Sequence, residues 1–539
     1  MSSSSSAASL AEPMSARTFG LWAAGLFLAG LAARLLLGLY TNGYVGDQMY
    51  FIRWMQGAME HGVRLSYVHA DMQNYPPVFI AILEGYGHVL NALGLEIKTA
   101  HLTSKALPIL FDLLAMAILP LVLRRRLSRR SQLLLLGALA LNPALLADGA
   151  IWGQIDVFHS LLMALGVLAL VGQPFLAGAL LGIALLSKFQ AIVIAPVIGA
   201  YALRRMLRRD FAHPLLLAAG FLAPLALTAA CFSANGTLDD MVQAAYLSAT
   251  DMYPQLSLNA FNLWYHLFTD PSLNDTTTLA AGMSYKTFGF LLLGLACAFV
   301  AAYVLLLKQL RTVHLLMASA FINLAFFMLP TEIHERYGVP AMLFLVLVPF
   351  LMGRETTSAF DTTASPRIVL VPEPAAGTGS PHPLRRWTPR RLWSFAAGWF
   401  TLSTALNIWM VLNGGMGGKW LGGRSATSRG FAERSHGGSD GSGGLGRSGF
   451  DGSEGFGNGG FDGRGRAAAE SGQPWRDASA GGWRDDSPGS AFSGGFGSGS
   501  LVGWEHALAV ALSAANLALL LGLAALMLLQ FKQKERPRT

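Results

Sequence analysis

The sequence predicts an all-α, polytopic membrane protein with about twelve transmembrane helices and a disordered Gly/Ser-rich loop outside the membrane. Three observations predict it. Hydrophobic residues make up 53% of the 539 and charged residues 13%, about half the roughly 25% charge of soluble proteins, and mean hydropathy is +0.44. Apolar runs long enough to cross a bilayer recur along the chain. The 39 Lys and Arg, set against 31 Asp and Glu for a net charge of +8, gather in short clusters between those runs, a pattern of membrane topology rather than of a nucleic-acid surface. A soluble enzyme is excluded. Cys231 and Cys297 are the only cysteines, each in or at the end of an apolar run, so neither a disulfide framework nor a cysteine metal cage is available.

A helix needs about 20 apolar residues to cross ~30 Å of hydrocarbon. Residues 1–18 read as a cytoplasmic N-terminal tail and 19–40 as the first span, too long for a signal-peptide core and therefore a retained anchor. A first outer loop covers 41–105. Within it, 78–94 follows Pro76 and Pro77 and carries Glu84 and His88, so it is either a weak span or a helix lying at the interface. The charges arbitrate. A span there would place Arg124, Arg125, Arg126, Arg129 and Arg130 outside, against the positive-inside rule.

Further apolar runs lie near 106–123, 131–147, 153–171, 174–203, 213–232, 286–307, 312–329, 338–352, 392–412 and 501–530. The run at 174–203 would be roughly 45 Å long as one helix, and it holds Ser187, Lys188 and Gln190 in its middle. Two short helices joined at that polar break return Arg204, Arg205, Arg208 and Arg209 to the cytoplasm. With these choices the basic runs at 124–130, 204–209, 308–311, 385–391 and 532–538 all fall inside, and both chain ends are cytoplasmic. The core is then 19–352. A Thr-, Pro- and Arg-rich cytoplasmic connector follows at 353–391, single spans at 392–412 and 501–530, and a tail at 531–539. The outer loop at 413–500 repeats Gly-Phe-Asp-Gly at 449–452 and 460–463. Its composition buries too little apolar surface to offset chain entropy, which predicts disorder.

The same topology places the unusual polar motifs together at the outer face, and apart from the Lys188 break none was used to build it. They are Asp47, the stretch Asn74-Tyr75-Pro76-Pro77, Trp152-Gly153-Gln154-Ile155-Asp156, the Lys188 break, Asn259 and Asn262 before Trp264, and His334-Glu335-Arg336-Tyr337. An ionisable group facing lipid costs on the order of 3 kcal/mol, so one wet pocket accounts for all of them. Each also has a plainer reading. Asp47 serves as a solvated loop acid or helix cap, Tyr75-Pro76-Pro77 as a rigid helix start, Trp152 and Trp264 as interfacial belt residues, and Asp156 as a cap. Lys188 reads alternatively as a snorkelling side chain, Asn259 and Asn262 as loop hydrogen-bonders, and the 334–336 cluster as surface charge.

As a pocket, the set suits an anion. Arg336, His334 and Lys188 fit a phosphate, Arg by its planar fork and Lys as a point charge, while Asp47 is placed to take a proton from an attacking hydroxyl. There is no HExxH, Walker A, paired-Cys or Rossmann glycine pattern, so nucleotide or zinc chemistry has no support. A lipid-phosphate donor is the natural choice outside the cytoplasm.

The series Asp47, Trp54, Gly62, Tyr67, Tyr75-Pro76-Pro77, Asn142-Pro143, Trp152-Gly153-Gln154-x-Asp156, Lys188-x-Gln190 and His334-Glu335-Arg336-Tyr337 resembles the GT-C superfamily of membrane glycosyltransferases. The likeness is to a bacterial branch related to the second GPI mannosyltransferase, with kinship to dolichyl-phosphate-glucose-dependent glucosyltransferases, and it covers about 19–352. The resemblance implies inverting transfer of a sugar, mannose favoured, from a polyprenyl-phosphate donor to a glycan, lipid or protein acceptor at the outer face. It implies Asp47 as general base, with His334 and Arg336 near the donor phosphate and Lys188 assisting. Tyr75, Trp152, Gln154, Asp156, Gln190, Asn259, Asn262, Glu335 and Tyr337 would line the pocket. Asn74 stands where many relatives have an acid, and Gln48 where some have a second one, so no cofactor is expected and a divalent metal is not supported.

The expected setting is a bacterial plasma membrane with the site facing outward, or alternatively an endoplasmic-reticulum membrane; membrane lipids are the surroundings and no nucleic acid is a partner. The competing reading is a polytopic transporter or flippase of lipid-linked sugars. A third is a non-catalytic scaffold whose Gly-rich loop binds envelope components.

Overall fold

The computed structural model describes residues 14–69, 72–248, 253–267, 271–352, 388–413 and 503–532. Apart from their edges, the expected cytoplasmic connector at 353–391, the loop at 413–500 with its two repeats, and the tail at 531–539 lie outside the described residues. The chain is mostly helical, and among the described residues eight helices are long and apolar enough to cross a membrane.

In chain order the helices are α1 (Ala16–Tyr40), α2 (Val45–His61), α3 (Val63–His69), α4 (Pro77–Ala92), α5 (Leu102–Val122), α6 (Arg129–Ala140), α7 (Pro143–Leu145), α8 (Asp156–Ala169), α9 (Pro174–Leu185), α10 (Ala195–Leu207) and α11 (Ala212–Ser233). They continue as α12 (Leu238–Val242), α13 (Leu263–Leu267), α14 (Tyr285–Leu306), α15 (Thr312–Met328), α16 (Val339–Leu351), α17 (Pro389–Asn413) and α18 (Gly503–Leu529). A small antiparallel pair, β1 (Thr278–Ala280) with β2 (Met283–Ser284), sets Thr278 opposite Ser284. Along α8, α15 and α16 nearly every side chain is buried, so these three form the centre of the bundle, and the other long helices keep one face exposed.

Polar contacts define two ends of the bundle. At one end the Arg129 guanidinium donates to the Met14 carbonyl, and Arg204 donates to the carbonyls of Val304, Leu305 and Lys308, capping the end of α14. His213 meets the Leu170 carbonyl there, and Tyr303 meets Gln530. The Arg-rich turns between α5 and α6 and between α10 and α11 belong to this end. At the other end Lys105 donates to Gly38 and Thr41, Gln48 to Trp152, and Gln190 to Tyr337. The basic runs at 124–130, 204–209 and 308–311 and the polar motifs therefore sit at opposite ends of the same helices.

The apolar run at 174–203 is broken where its polar residues fall. Helix α9 ends at Leu185, and the chain restarts as a 3-10 turn, Phe189–Ile194, leading into α10. Helix α9 lies so close to α11 that a Cβ on Gly182 would come 2.6 Å from the Phe221 carbonyl oxygen. The stretch at 78–94 is α4, whose 16 residues reach about 24 Å, short of the ~30 Å hydrocarbon layer. Its start is rigid because Pro77 occupies the first helical turn, where no backbone donor is needed. Asn142 caps the short α7 by accepting from Ala144 N and Leu145 N, with Pro143 following, which gives that pair a local structural reason.

One buried knot ties the first span to the rest. Arg34, on α1 and fully buried, pairs with Asp112 of α5 at 2.8 Å and donates to the carbonyls of Gly30, Ala140 and Leu139. Removing one partner of such a pair strands the other. Replacing Arg34 by Leu is expected to destabilise the fold by about 3–5 kcal/mol, read as a lower unfolding midpoint at fixed scan rate in detergent. The double variant R34L/D112L is expected to regain most of the loss, and no recovery would show that the carbonyl contacts of Arg34, not the charge pair, carry the effect.

Candidate functional site

The site is assembled from four interruptions in helical structure. The first is the start of α2, where the Asp47 carboxylate lies in the first helical turn. The second is a π-helical turn, Leu146–Trp152, closed by Gly153 at φ +94°, a left-handed conformation that suits glycine. Gly153 N and Gln154 N both donate to the Asp148 carbonyl, which turns Trp152 and Gln154 toward Asp47. The third is the break after α9, which places Lys188 at the start of the 3-10 turn. The fourth is the short 3-10 turn Glu335–Gly338 between α15 and α16.

Three donors converge on one oxygen of Asp47. Trp152 Nε1 lies 2.8 Å and Gln154 Nε2 2.6 Å from Oδ2, and the Arg336 guanidinium approaches it at 3.5 Å. Among the described residues no donor is found on Oδ1, and the side chain keeps 21% of its surface exposed. The carboxylate is thus held in place while one oxygen stays accessible, the condition a general base requires.

Behind Asp47 the charges are buried. Lys188 Nζ sits 2.5 Å from Asp156 Oδ1 and near the faces of Tyr75 and Tyr337, at 5.5 and 5.2 Å. Arg336 pairs with Glu335 at 2.9 Å, lies 4.0 Å from Asp156 Oδ2, and stacks over Trp152 and Tyr337. Burial opposes the Arg336 charge, but Asp47 and Glu335 together hold its pKa above the ordinary value. Tyr75 donates to Gln154 Oε1 at 3.3 Å, and its phenol is pushed up by burial, then by Asp156, so it stays protonated. Val78 N donates to the Leu186 carbonyl, which docks the proline-led start of α4 on the Lys188 break.

His334 differs from the cation expected of it. Burial first, then the charges of Arg336 and Lys188, push its pKa well below the usual histidine value, so it enters the site as a neutral ring 4.0 Å from Glu335. Its backbone bridges to Leu258 and Asn259, which brings Asn259 beside the site through main chain. Asn262 has a structural use: its Oδ1 accepts from Trp264 N and Tyr265 N, capping α13. The remaining predicted residues, Gln190 and Tyr337, meet each other through Gln190 Nε2 and the Tyr337 carbonyl.

Several participants were not anticipated. Gln48, buried directly after Asp47, donates to Asn42 and Trp152 and accepts from Ala100 N and Ser104 Oγ, fixing α2 against α5. Tyr44 stacks on Trp152 with ring centroids 4.7 Å apart, at the mouth of the site. Asp148 is fully buried, with both carboxylate oxygens lacking a hydrogen-bond partner among the described residues, and as an acid inside an apolar run it carried a signal that went unread.

The charge balance is closer than the cations alone suggested. Leaving aside the buried Asp148, the ionised acids Asp47, Asp156 and Glu335 outweigh Lys188 and Arg336 by one negative charge. Glu335 is the adjustable member. Burial, with Asp47 adding to it and Arg336 opposing, raises its pKa to about 7. Below that value it is neutral, the balance is zero, and Arg336 loses one competing carboxylate. His334, pushed far down, and Tyr44, pushed up by burial, keep their protons unchanged across this range. Binding of a singly charged phosphodiester is therefore expected to tighten as pH falls from 8 to 6, by at most about tenfold per pH unit for one proton. The measurement is the Kd at both pH values, and the Glu335→Gln variant should lack the slope.

Fold and site together define a mostly helical protein with, among the described residues, eight helices suited to crossing a membrane and a charged aromatic site at one end of the bundle. No family model matches the chain, and no curated protein matches it.

Proposed function

We propose that the protein is an integral-membrane inverting glycosyltransferase that moves a sugar, mannose favoured, from a polyprenyl-phosphate donor to an acceptor hydroxyl at the outer face of a bacterial plasma membrane. The observation that carries the reading is the meeting of Asp47 and Arg336: a carboxylate with one open oxygen lies 3.5 Å from a guanidinium backed by a second buried cation, Lys188. A proton acceptor and a phosphate holder are thereby placed a sugar's width or less apart.

In the proposed reaction the acceptor hydroxyl oxygen attacks the anomeric carbon as the bond from that carbon to the phosphate oxygen breaks. The hydroxyl proton passes to Asp47 Oδ1, and the polyprenyl phosphate leaves with the bonding electron pair. Arg336 stabilises the charge that builds on the leaving phosphate, with Lys188 behind it. A single displacement inverts the anomeric centre. Tyr75, Trp152 and Tyr337 supply aromatic walls around the sugar, with the Tyr75 phenol and the Trp152 indole oriented by Gln154 and Asp47.

The membrane arrangement belongs to the same proposal. About twelve spans, counting the short helices α4 excluded, put the Arg-rich end in the cytoplasm by the positive-inside rule and the site outside. The transporter reading draws on the broken helix at Lys188, since transporters bind substrate at such breaks. Here the break closes one helix and opens the next at the end of the bundle where Asp47 lies, which favours chemistry at a surface over passage through the middle.

The test is binding of the leaving group. Purified protein in lipid nanodiscs should bind a polyprenyl phosphate and not the matching polyprenyl alcohol, and Arg336→Ala should abolish the difference. Equal binding of the two lipids would sink the donor-phosphate reading, and accumulation of a lipid-linked sugar across sealed vesicles without transfer would replace it with transport.

A further inference from the structure

We propose that Asp156 is a positioning residue that anchors both cations of the site from behind, Lys188 through one carboxylate oxygen and the Arg336 Nε through the other. The proposal rests on the glycosyl-transfer reading for its kinetic consequence, and on geometry alone for the anchoring itself.

Asp156 begins α8 and is fully buried. Its Oδ1 accepts from Lys188 Nζ at 2.5 Å. Among the described residues its Oδ2 is buried with no hydrogen-bond partner, and so is Arg336 Nε, and these two face each other at 4.0 Å. A buried acceptor and a buried donor of opposite charge, each unpaired, are costly apart and favourable together. A shift of about 1 Å brings them to hydrogen-bond distance.

What holds Arg336 off is its other edge. NH1 pairs with Glu335 at 2.9 Å and NH2 with Asp47 at 3.5 Å. Those two nitrogens are the ones a phosphate would take, because the guanidinium fork matches two phosphate oxygens. When a phosphate replaces Glu335 and Asp47 on NH1 and NH2, Nε is released to close on Asp156 Oδ2. The guanidinium is then fixed at its rear and presents its fork forward, and Asp47 keeps only Trp152 and Gln154 as donors. Asp156 thus acts through Arg336 and Lys188 and touches neither sugar nor acceptor. The titratable groups around it are Lys188 from the break after α9, Arg336 and Tyr337 from the turn before α16, Tyr75 ahead of α4, the buried Asp148 of the π-helical turn, and His159 of α8 itself.

The experiment compares wild type with Asp156→Asn and Asp156→Glu. Reductive methylation followed by mass spectrometry reads the anchoring without any assay of activity: Lys188 should stay unmodified in wild type and Asp156→Glu and become modified in Asp156→Asn. Equal modification in all three overturns the proposal. In transfer assays Asp156→Asn is expected to lower kcat by about 10²-fold, the scale of a misplacement near 1 Å, with the donor KM unchanged or lower because one negative charge is gone. Combining Asp156→Asn with Lys188→Met should be clearly worse than Lys188→Met alone, since Asp156→Asn also removes the anchor of Arg336. A kcat and KM both within twofold of wild type for Asp156→Asn would overturn the positioning role while leaving the glycosyltransferase reading intact. A wild type that transfers no sugar yet shows the methylation pattern would overturn that reading and leave the anchoring standing.

Discussion

Replacing Asp47 by Asn lowers turnover by about 10³-fold, within the 10²–10⁴ range that a positioned general base supplies, and leaves donor KM within a few-fold of wild type. The size follows from what the substitution keeps. Asn has the same shape, and its amide oxygen still accepts from Trp152 Nε1 and Gln154 Nε2, which lie 2.8 and 2.6 Å from the native Oδ2. The α2 helix stays in place because Gln48, not Asp47, fastens it to Trp152 and Ser104. The capacity to accept a proton is lost, together with the negative charge 3.5 Å from the Arg336 guanidinium. Steady-state kinetics with verified folding checks this, and turnover within threefold of wild type would remove Asp47 from the base role.

Replacing Arg336 by Ala lowers kcat/KM by about 10²–10³, the usual effect of deleting one group that stabilises transition-state charge. The loss has two sources, and a second variant separates them. Deletion leaves Glu335 and Asp156 Oδ2 buried without a cation between them, a stability penalty. Arg336→Lys keeps the charge, so folding should recover while activity recovers only in part. An ammonium cannot reach Asp47, Glu335 and Asp156 from one position as the guanidinium does. Full activity in Arg336→Lys would show that a point charge suffices and that the fork has no role.

Much of the arrangement was legible in the sequence because charge and polarity are conspicuous in an apolar chain. Ser187 and Lys188 inside a run of about 30 residues marked a break, and the helix ends at Leu185. The Arg clusters at 124–130 and 204–209 marked the end of the bundle opposite the polar motifs. What stayed hidden was pairing. Lys188 reads as a free cation in sequence, and its counter-ion, Asp156, stands 32 residues away on another helix. Arg336 likewise reads as a donor, yet it is shared among three acids. Gln48 looked like a missing acid and is instead a bridge whose partners, Ser104 and Trp152, are 56 and 104 residues distant. Asn262 was grouped with the pocket because an Asn near a Trp suits either a ligand or a turn, and its two bonds to Trp264 and Tyr265 amides make it a cap. Residue type announces that a site exists, whereas its net charge depends on contacts that only the fold creates.

The central claim, that this site transfers a sugar from a lipid phosphate, is tested most directly by label transfer. Purified protein in liposomes is supplied with a mixed acceptor extract and radiolabelled polyprenyl-phosphate mannose or its glucose analogue. The account predicts that label from one donor, with mannose the favoured one, moves into acceptor with inverted anomeric configuration and is released in step with free polyprenyl phosphate. No transfer from either donor by folded protein that still binds polyprenyl phosphate would contradict it.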